Sequence, residues 1–320
     1  MASPEVLAVL EAGGPGVTET LLRVEESLAE VAGRATGAIA PFANSAVAGG
    51  GKRLRPLLAV LSAGYSPGDT DAVVRAGVAV ELVHAATLVH DDILDRSDVR
   101  RGSPTVVAAG GREMAVAVGD YLFAAAFGEL VPNGTADVEV LAQAGSDLAR
   151  GELLQRADAW NVHTSRERYL QRCRLKTARL FEAAAVLGSR AGGLGSEQAE
   201  RFAGSVGLAF QLLDDVLDVT GPEERTGKPR GTDLLDGTVT LPLIIAMEHD
   251  PSLIEVDLAA LDTVSVVEIC DRIAETGALD EVRSMAEDWI AVANGAVAEM
   301  SGVSADAFRL VARALVDRVS

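Results

Sequence analysis

The sequence predicts an all-α fold, and three observations carry that prediction. Apolar residues recur at helical spacing along most of the 320 residues. Hydrophobic residues make up 48% of the chain and aromatics only 4%, so the core has to be built largely from alanine, valine and leucine, side chains suited to packed helices. No segment alternates convincingly with a period of two, and no solenoid repeat is found. Because no Pro/Ser-rich linker or break in composition divides the chain, residues 1–320 are expected to form one domain.

The elements follow in order. From about Pro4 to Phe42 the spacing predicts amphipathic helices through EVLAVLEA and TETLLRVEESLAEVAG. The glycine run of AGGGKRLRP opens a helix through RLRPLLAVLSAG, which YSPGDTD ends as a turn. A long apolar helix begins at Asp71 and runs through ELVHAATLVHDDILD. The loop SDVRRGSPT ends it, with Gly102 and Pro104 as breakers. REMAVAVGDYLFAAAFGEL is a further helix and VPNGTAD a turn. Helices then fit Val138 to about Ala159, Ser165 to Gly188 with an interruption or bend near Lys176, and Ser196 to Val219. The charged, Gly-rich loop GPEERTGKPRGTDLLDGT follows. Helices resume at VTLPLIIAME and continue in three or four pieces to Ser320.

The charge balance excludes one class of function. With 28 basic against 47 acidic residues and a net charge of -19, the chain lacks the basic surface that general nucleic-acid binding needs. No Lys or Arg precedes Arg23, so the start lacks the charged region of a secretory signal, and no apolar run is expected to span a bilayer. A soluble, cytoplasmic protein is expected. Cys173 and Cys270 have no metal-ligand spacing and read as buried or reduced thiols.

The chemistry concentrates in two acidic helices. LVHDDILDRSDVRRG places Asp91, Asp92 and Asp95 among apolar neighbours. Asp91 and Asp95 are four apart, so they share a helix face with Cβ atoms roughly 5–6 Å apart, and like charges held that close need neutralising. FQLLDDVLD repeats the pattern with Asp214, Asp215 and Asp218. One such motif in an acidic chain is most simply a solvated helix face. Two, both on apolar helices and both trailed by basic, Gly-rich loops, point to a site. All-oxygen carboxylate sets favour a hard cation such as Mg²⁺, completed by substrate phosphates and water. His84 and His90 lie near the first set, but no HExxH or His/Cys grouping argues for zinc.

The only lysines are Lys52, Lys176 and Lys228. Each has another basic residue two or three positions away, as expected of anion sites in an otherwise acidic protein.

With these blocks in place the chain resembles the trans-isoprenyl diphosphate synthases, or polyprenyl synthetases, and looks like a medium- or long-chain member. The resemblance rests on GGKRLRP at 50–56, ELVHAATLVHDDILDRSDVRRGSPT at 81–105, GDYL at 119–122, GELLQ at 151–155, KTARLFEAA at 176–184, FQLLDDVLD at 210–218 and GKPRGTDL at 227–234, in the family's order. It implies an orthogonal helical bundle around a central cavity, usually a homodimer, with the two aspartate-rich helices facing each other and Mg²⁺ between them. Three ions are implied, for which Mn²⁺ substitutes.

By the same resemblance Asp91, Asp95 and Asp214 are the principal metal ligands, with Asp92, Asp215 and Asp218 in supporting roles. Arg100, Lys176, Gln211 and Lys228 would contact an allylic diphosphate (geranyl, farnesyl or geranylgeranyl). Lys52, Arg55, His84 and Arg101 would hold isopentenyl diphosphate. Thr177 and Gln211 would orient oxygen atoms near a developing cation.

Val83, Ala86 and Thr87 precede the first motif on its helix, and none is bulky. In the resembling family that accompanies longer products, here C20 or more, with transient contact to a membrane surface for product release. One departure stands out: the family often has a lysine where this chain has Thr238, in DGTVTLP. Two other readings keep parts of this logic. A class I terpene cyclase would not need the second diphosphate site that GGGKRLRP and KTARLFE suggest. A noncatalytic partner subunit of a heteromeric synthase would not need both acidic motifs complete.

Overall fold

The computed structural model describes residues 4–49, 51, 53–64, 69–100, 102–221 and 229–316. Among them the chain is almost wholly helical: α1 Pro4–Gly13, α2 Pro15–Gly33, α3 Ala40–Ala48, α4 Leu54–Ser62, α5 Thr70–Leu94, α6 Val106–Gly110, α7 Arg112–Leu130, α8 Thr135–Ala157, α9 Arg166–Cys173, α10 Arg179–Ala191 and α11 Glu197–Thr220. The short α12 Thr232–Leu235 follows, then α13 Leu241–His249, α14 Ser265–Glu275, α15 Ala278–Ala298 and α16 Ala305–Val316. The one departure from all-helical structure is a pair of two-residue strands, β1 Val99–Arg100 and β2 Ser103–Pro104, antiparallel with Arg100 opposite Ser103. Strands this short carry no readable period in sequence.

The contacts divide the chain into two compact units interleaved in sequence. Unit 1 takes Met1–Gly145, Leu180–Ala203 and Gly295–Val311; unit 2 takes Ser146–Arg179, Gly204–Asn294 and Ala312–Ser320. In unit 1, α2 buries Val17, Thr20, Val24, Leu28 and Val31, a stripe at three- and four-residue spacing that makes one apolar face. α5 is buried on nearly every side, with Val73, Val78, Leu82, Val83 and Ala86 all fully covered. Its first turn is capped by the Asp69 side chain, which accepts from the Ala72 N–H at 2.9 Å. The far ends of the sequence meet here, where Ser304 Oγ donates to the Ala12 carbonyl at 2.7 Å. In unit 2, α14 shows the same logic, burying Val266, Ile269, Cys270 and Ile273.

Among the described residues two helical stretches, Thr70–Leu94 and Arg112–Asn133, are long and apolar enough to cross a membrane by length and composition. This corrects the expectation that no apolar run reaches that length. In the first, 78% of the most apolar window is buried inside the protein, so its apolarity is that of a core helix. In the second only 33% is buried, and Val116 and Val131 are exposed on it.

Candidate active site

Unit 1 carries the first acidic motif at the C-terminal end of α5. Asp91 and Asp95 are half-buried, whereas Asp92 is 4% exposed. Asp95 ends the helix, its N–H donating to the Asp91 carbonyl at 2.8 Å, and Arg96 turns the chain away in the left-handed region with φ 53°. The Ser97 N–H then donates to the Asp92 carbonyl at 3.0 Å. The hairpin that follows turns at Gly102, φ 77°, and folds Arg100 back so that its Nε donates to Asp92 Oδ1 at 2.7 Å. Burial raises the Asp92 pKa, against the pull of the Arg100 cation. The spacing from DDxxD to RRG is therefore the length of a hairpin that brings a cation home to its own motif.

The basic cluster GGGKRLRP opens α4 in the same unit. Arg53 takes a left-handed conformation, φ 46°. Its Nη1 donates to the buried Glu81 on α5 at 2.7 Å, its Nε to Glu25 at 2.8 Å, and its Nη2 to the Val47 carbonyl at 2.9 Å. The guanidinium of Arg55 lies over the Phe181 ring, 4.6 Å from its centroid. His84 is half-buried on α5, and its carbonyl accepts from Thr87 Oγ1 at 2.8 Å. Val83 and Ala86 are fully buried and Thr87 half-buried.

Unit 2 gathers the second set. The bend expected near Lys176 is a π-helical turn, Arg174–Ala178, between α9 and α10, a widening often found at functional sites. Two glycines leave room for it. A Cβ on Gly151 of α8 would lie 2.6 Å from the Lys176 nitrogen, and one on Gly207 of α11 would lie 2.8 Å from the Ala178 Cα. Lys176 Nζ is hydrogen-bonded to Glu152. Burial would raise the Glu152 pKa, but the Lys176 and Arg156 cations hold it below the usual range.

Thr177 Oγ1 donates to Gln211 Oε1 at 2.7 Å, and Gln211 Nε2 donates to Asp215 Oδ1 at 2.8 Å. The Tyr169 hydroxyl donates to Asp215 Oδ2 at 2.6 Å. Burial and the neighbouring Asp233 push the Asp215 carboxyl up, against the Tyr169 and Gln211 donors and the Arg172 charge. Asp218, 3% exposed, accepts the Asp233 N–H at 3.2 Å, and its carbonyl accepts the Gly231 N–H at 2.9 Å. Asp214 is half-buried.

The expected residues thus fall into two groups, each inside one unit. Arg55, Val83, His84, Ala86, Thr87, Asp91, Asp92, Asp95 and Arg100 belong to the first; Lys176, Thr177, Gln211, Asp214, Asp215 and Asp218 to the second. Lys52, Arg101 and Lys228 lie outside the described residues. Glu81, Glu152, Tyr169 and Arg172 are partners that sequence reasoning did not single out. Glu152 stood within the GELLQ block, and Tyr169 lies on the same helical run as Lys176, so both carried a signal.

Each acidic motif offers oxygen donors, the kind a hard divalent ion takes. In unit 1 Asp91 and Asp95 are half-buried and Asp92 buried; in unit 2 Asp214 is half-buried and Asp215 and Asp218 buried, with Asp92 and Asp215 accepting from protein side chains. Among the described residues no three His, Cys, Asp or Glu side chains form a ready metal cage, and Mg²⁺ commonly relies on a few carboxylates plus phosphate and water.

A model of the polyprenyl synthetase family matches residues 38–266. Heptaprenyl diphosphate synthase component 2 of Geobacillus stearothermophilus is 34% identical over 282 residues, 86% of this chain and 88% of that one. Octaprenyl diphosphate synthase of Escherichia coli (strain K12) is 41% identical over 207 residues, which cover 63% of this chain and 64% of its own. Among solved structures, heptaprenyl diphosphate synthase from Staphylococcus aureus superimposes with a TM-score of 0.88 at 26% identity, covering 95% of this chain and 99% of that one. A polyprenyl synthase from Caulobacter crescentus CB15, complexed with calcium and isoprenyl diphosphate, gives 0.88 at 32% identity, covering 98% of each chain.

Proposed function

The chain belongs to the polyprenyl synthetase family, and from that membership we infer a trans-prenyltransferase that condenses isopentenyl diphosphate head-to-tail with an allylic prenyl diphosphate, repeatedly, releasing diphosphate. The observation that carries the residue assignment is the division of burial within the two acidic motifs. Asp91, Asp95 and Asp214 are half-buried, while Asp92 and Asp215 are buried and accept from Arg100, Tyr169 and Gln211. Asp91, Asp95 and Asp214 would hold Mg²⁺, which when bound neutralises the diphosphate and the charge that grows on it as it leaves.

The chain's own residues do the rest. Arg100 and Lys176 each rest on a carboxylate, Asp92 and Glu152, which aims a cation toward the allylic diphosphate. Thr177 and Gln211 present fixed oxygens beside the allylic cation, their orientation set by the hydrogen-bond run to Asp215. Arg55 and His84, with Lys52 and Arg101, hold isopentenyl diphosphate so that its double bond meets that cation. The released diphosphate takes the final proton, so no protein base is required. Incubating the purified chain with isopentenyl diphosphate and each short allylic diphosphate, with mass analysis of products, tests this reading. Activity on an allylic diphosphate alone would point to a cyclase instead.

Assembly is part of the proposal. The apolar stretch Arg112–Asn133, whose most apolar window is only 33% buried, supports a homodimer. The name "component 2" of one relative favours a second reading, in which this chain needs a different subunit. Turnover by the purified chain alone decides between them. A cytoplasmic location with transient membrane contact completes the proposal.

Two predictions arise at the lysine-bearing turn and at Thr238. Gly207→Ala is expected to push the π turn out of place, raising the allylic KM several-fold and costing about 1–3 kcal/mol of stability. Steady-state kinetics beside thermal melting check it; a lower Tm with an unchanged KM would separate the turn from substrate binding. Thr238 is half-buried, with its N–H donating to the Asp233 carbonyl at 2.7 Å. Thr238→Lys is expected to lower the allylic KM more than the KM for isopentenyl diphosphate. An unchanged allylic KM would place this position away from the diphosphate.

A further inference from the structure

Arg172 is 3% exposed, one turn after Tyr169 on α9. Its Nη2 donates to the Val239 carbonyl at 2.8 Å, and its guanidinium carbon lies 5.2 Å from the centre of the Tyr169 ring. Its Nη1 is buried without a hydrogen-bond partner among the described residues. Other cations of unit 2 rest on carboxylates: Arg168 on Asp158, Lys176 on Glu152, Arg230 on Asp271. Among the described residues Arg172 has a carbonyl and a ring instead.

Arginine does not shed its proton when buried, and an ion taken out of water without a direct partner is costly. The compensation in reach is a field. Tyr169, on whose ring Arg172 rests, donates to Asp215, and the same motif supplies Asp214 and Asp218, with Asp233 beside them. A cluster of carboxylates that lacks a fixed cation would hold any divalent ion tightly and repel diphosphate. One buried positive charge moves both tendencies in the opposite direction.

We infer that Arg172 is a positioning residue whose buried guanidinium is the built-in counter-charge of the second acidic motif, weakening its hold on a bare divalent cation and favouring cation and diphosphate together. Fixing Asp215 through Tyr169 and the Val239 backbone through Nη2, one helix turn holds both the charge and the geometry of the motif. The inference rests on the reading of Asp214 as a metal ligand.

The test is calorimetric titration of the full chain with Mg²⁺ alone, and with inorganic diphosphate at saturating Mg²⁺, for wild type, Arg172→Gln and Arg172→Lys. Arg172→Gln is expected to tighten Mg²⁺ alone by about tenfold and weaken diphosphate by a similar factor, the scale of a unit charge acting across a partly screened interior. Arg172→Lys, whose buried ammonium gives up its proton more readily and cannot stack on the ring as a guanidinium does, should fall between wild type and the glutamine variant on both. A merely structural residue would weaken both ligands together, so parallel losses in the glutamine variant, or no change in either, overturn the proposal. If Arg172→Gln does not fold, Arg172→Met takes its place. If Arg172→Met fails to fold as well, Arg172→Lys is titrated alone, and a parallel weakening of Mg²⁺ and diphosphate in it overturns the proposal. A wild type that binds no Mg²⁺ with or without diphosphate would instead defeat the metal reading on which this rests.

Discussion

Asp214→Ala is expected to lower kcat by about 10²–10³-fold, the scale lost when one group that stabilises developing charge is removed, while the melting temperature holds or rises. Asp91→Ala is expected to behave alike. Both carboxylates are half-buried within sets of like charge, so removing either relieves repulsion in the ligand-free protein. Asp215→Ala should separate from them. Its two oxygens accept from Tyr169 and Gln211, and leaving those donors unpaired costs about 1–3 kcal/mol. The pattern to measure is activity lost with stability kept at Asp91 and Asp214, and both lost at Asp215. Chelator should abolish turnover, and Mg²⁺ or Mn²⁺ should restore it. Full activity in excess chelator would end the metal assignment.

Product length is the second large effect. Thr87, Ala86 and Val83 lie roughly 6, 7.5 and 12 Å up the α5 axis from Asp91 at a rise of about 1.5 Å per residue, with Cβ bonds tilted toward that end. If the diphosphate sits at Asp91, a hydrocarbon tail that follows the helix meets these side chains in turn. None is aromatic, and we expect products of C20 or longer, about C30–C45. Ala86→Phe should shorten the product distribution by blocking that path with a ring. Ala86 is fully buried, so overpacking is expected to cost about 1–3 kcal/mol as well. Thr87→Phe provides the milder partner, since Thr87 is only half-buried. Mass analysis of products from both variants checks the idea. Active variants with unchanged products would make these positions helix packing alone.

Most helices were legible because their apolar residues keep a period that survives without knowledge of partners, as the α2 stripe from Val17 to Val31 does. The interruption at Lys176 was legible too, and its physical form is the π turn. Both acidic motifs could be located, since carboxylates among Leu, Ile and Val are conspicuous. Their inner division was not legible from spacing alone: Asp92 is buried because a hairpin returns Arg100 to it, and Asp215 because Tyr169, 46 positions away, reaches it. The apolar stretches run longer than they read in the sequence. Arg75 and Glu81 interrupt α5 to the eye, yet both are satisfied inside the protein, by Asn133 and Arg53. Arg53 itself, next to two expected diphosphate ligands, turned out to be a brace between α5 and the glycine-rich entry to α4.

The hydrogen bond from Ser304 to Ala12 has a meaning for the chain as it is made. Unit 1 includes Gly295–Val311, so it cannot close until that stretch has left the ribosome. At about 5–20 residues per second, the N-terminal helices wait roughly 15–60 s for their last partner. Apolar helix faces held open that long are targets for chaperones and for one another. Yield in a cell should therefore depend more on chaperone supply and on the pace of translation than the stability of the finished protein would suggest.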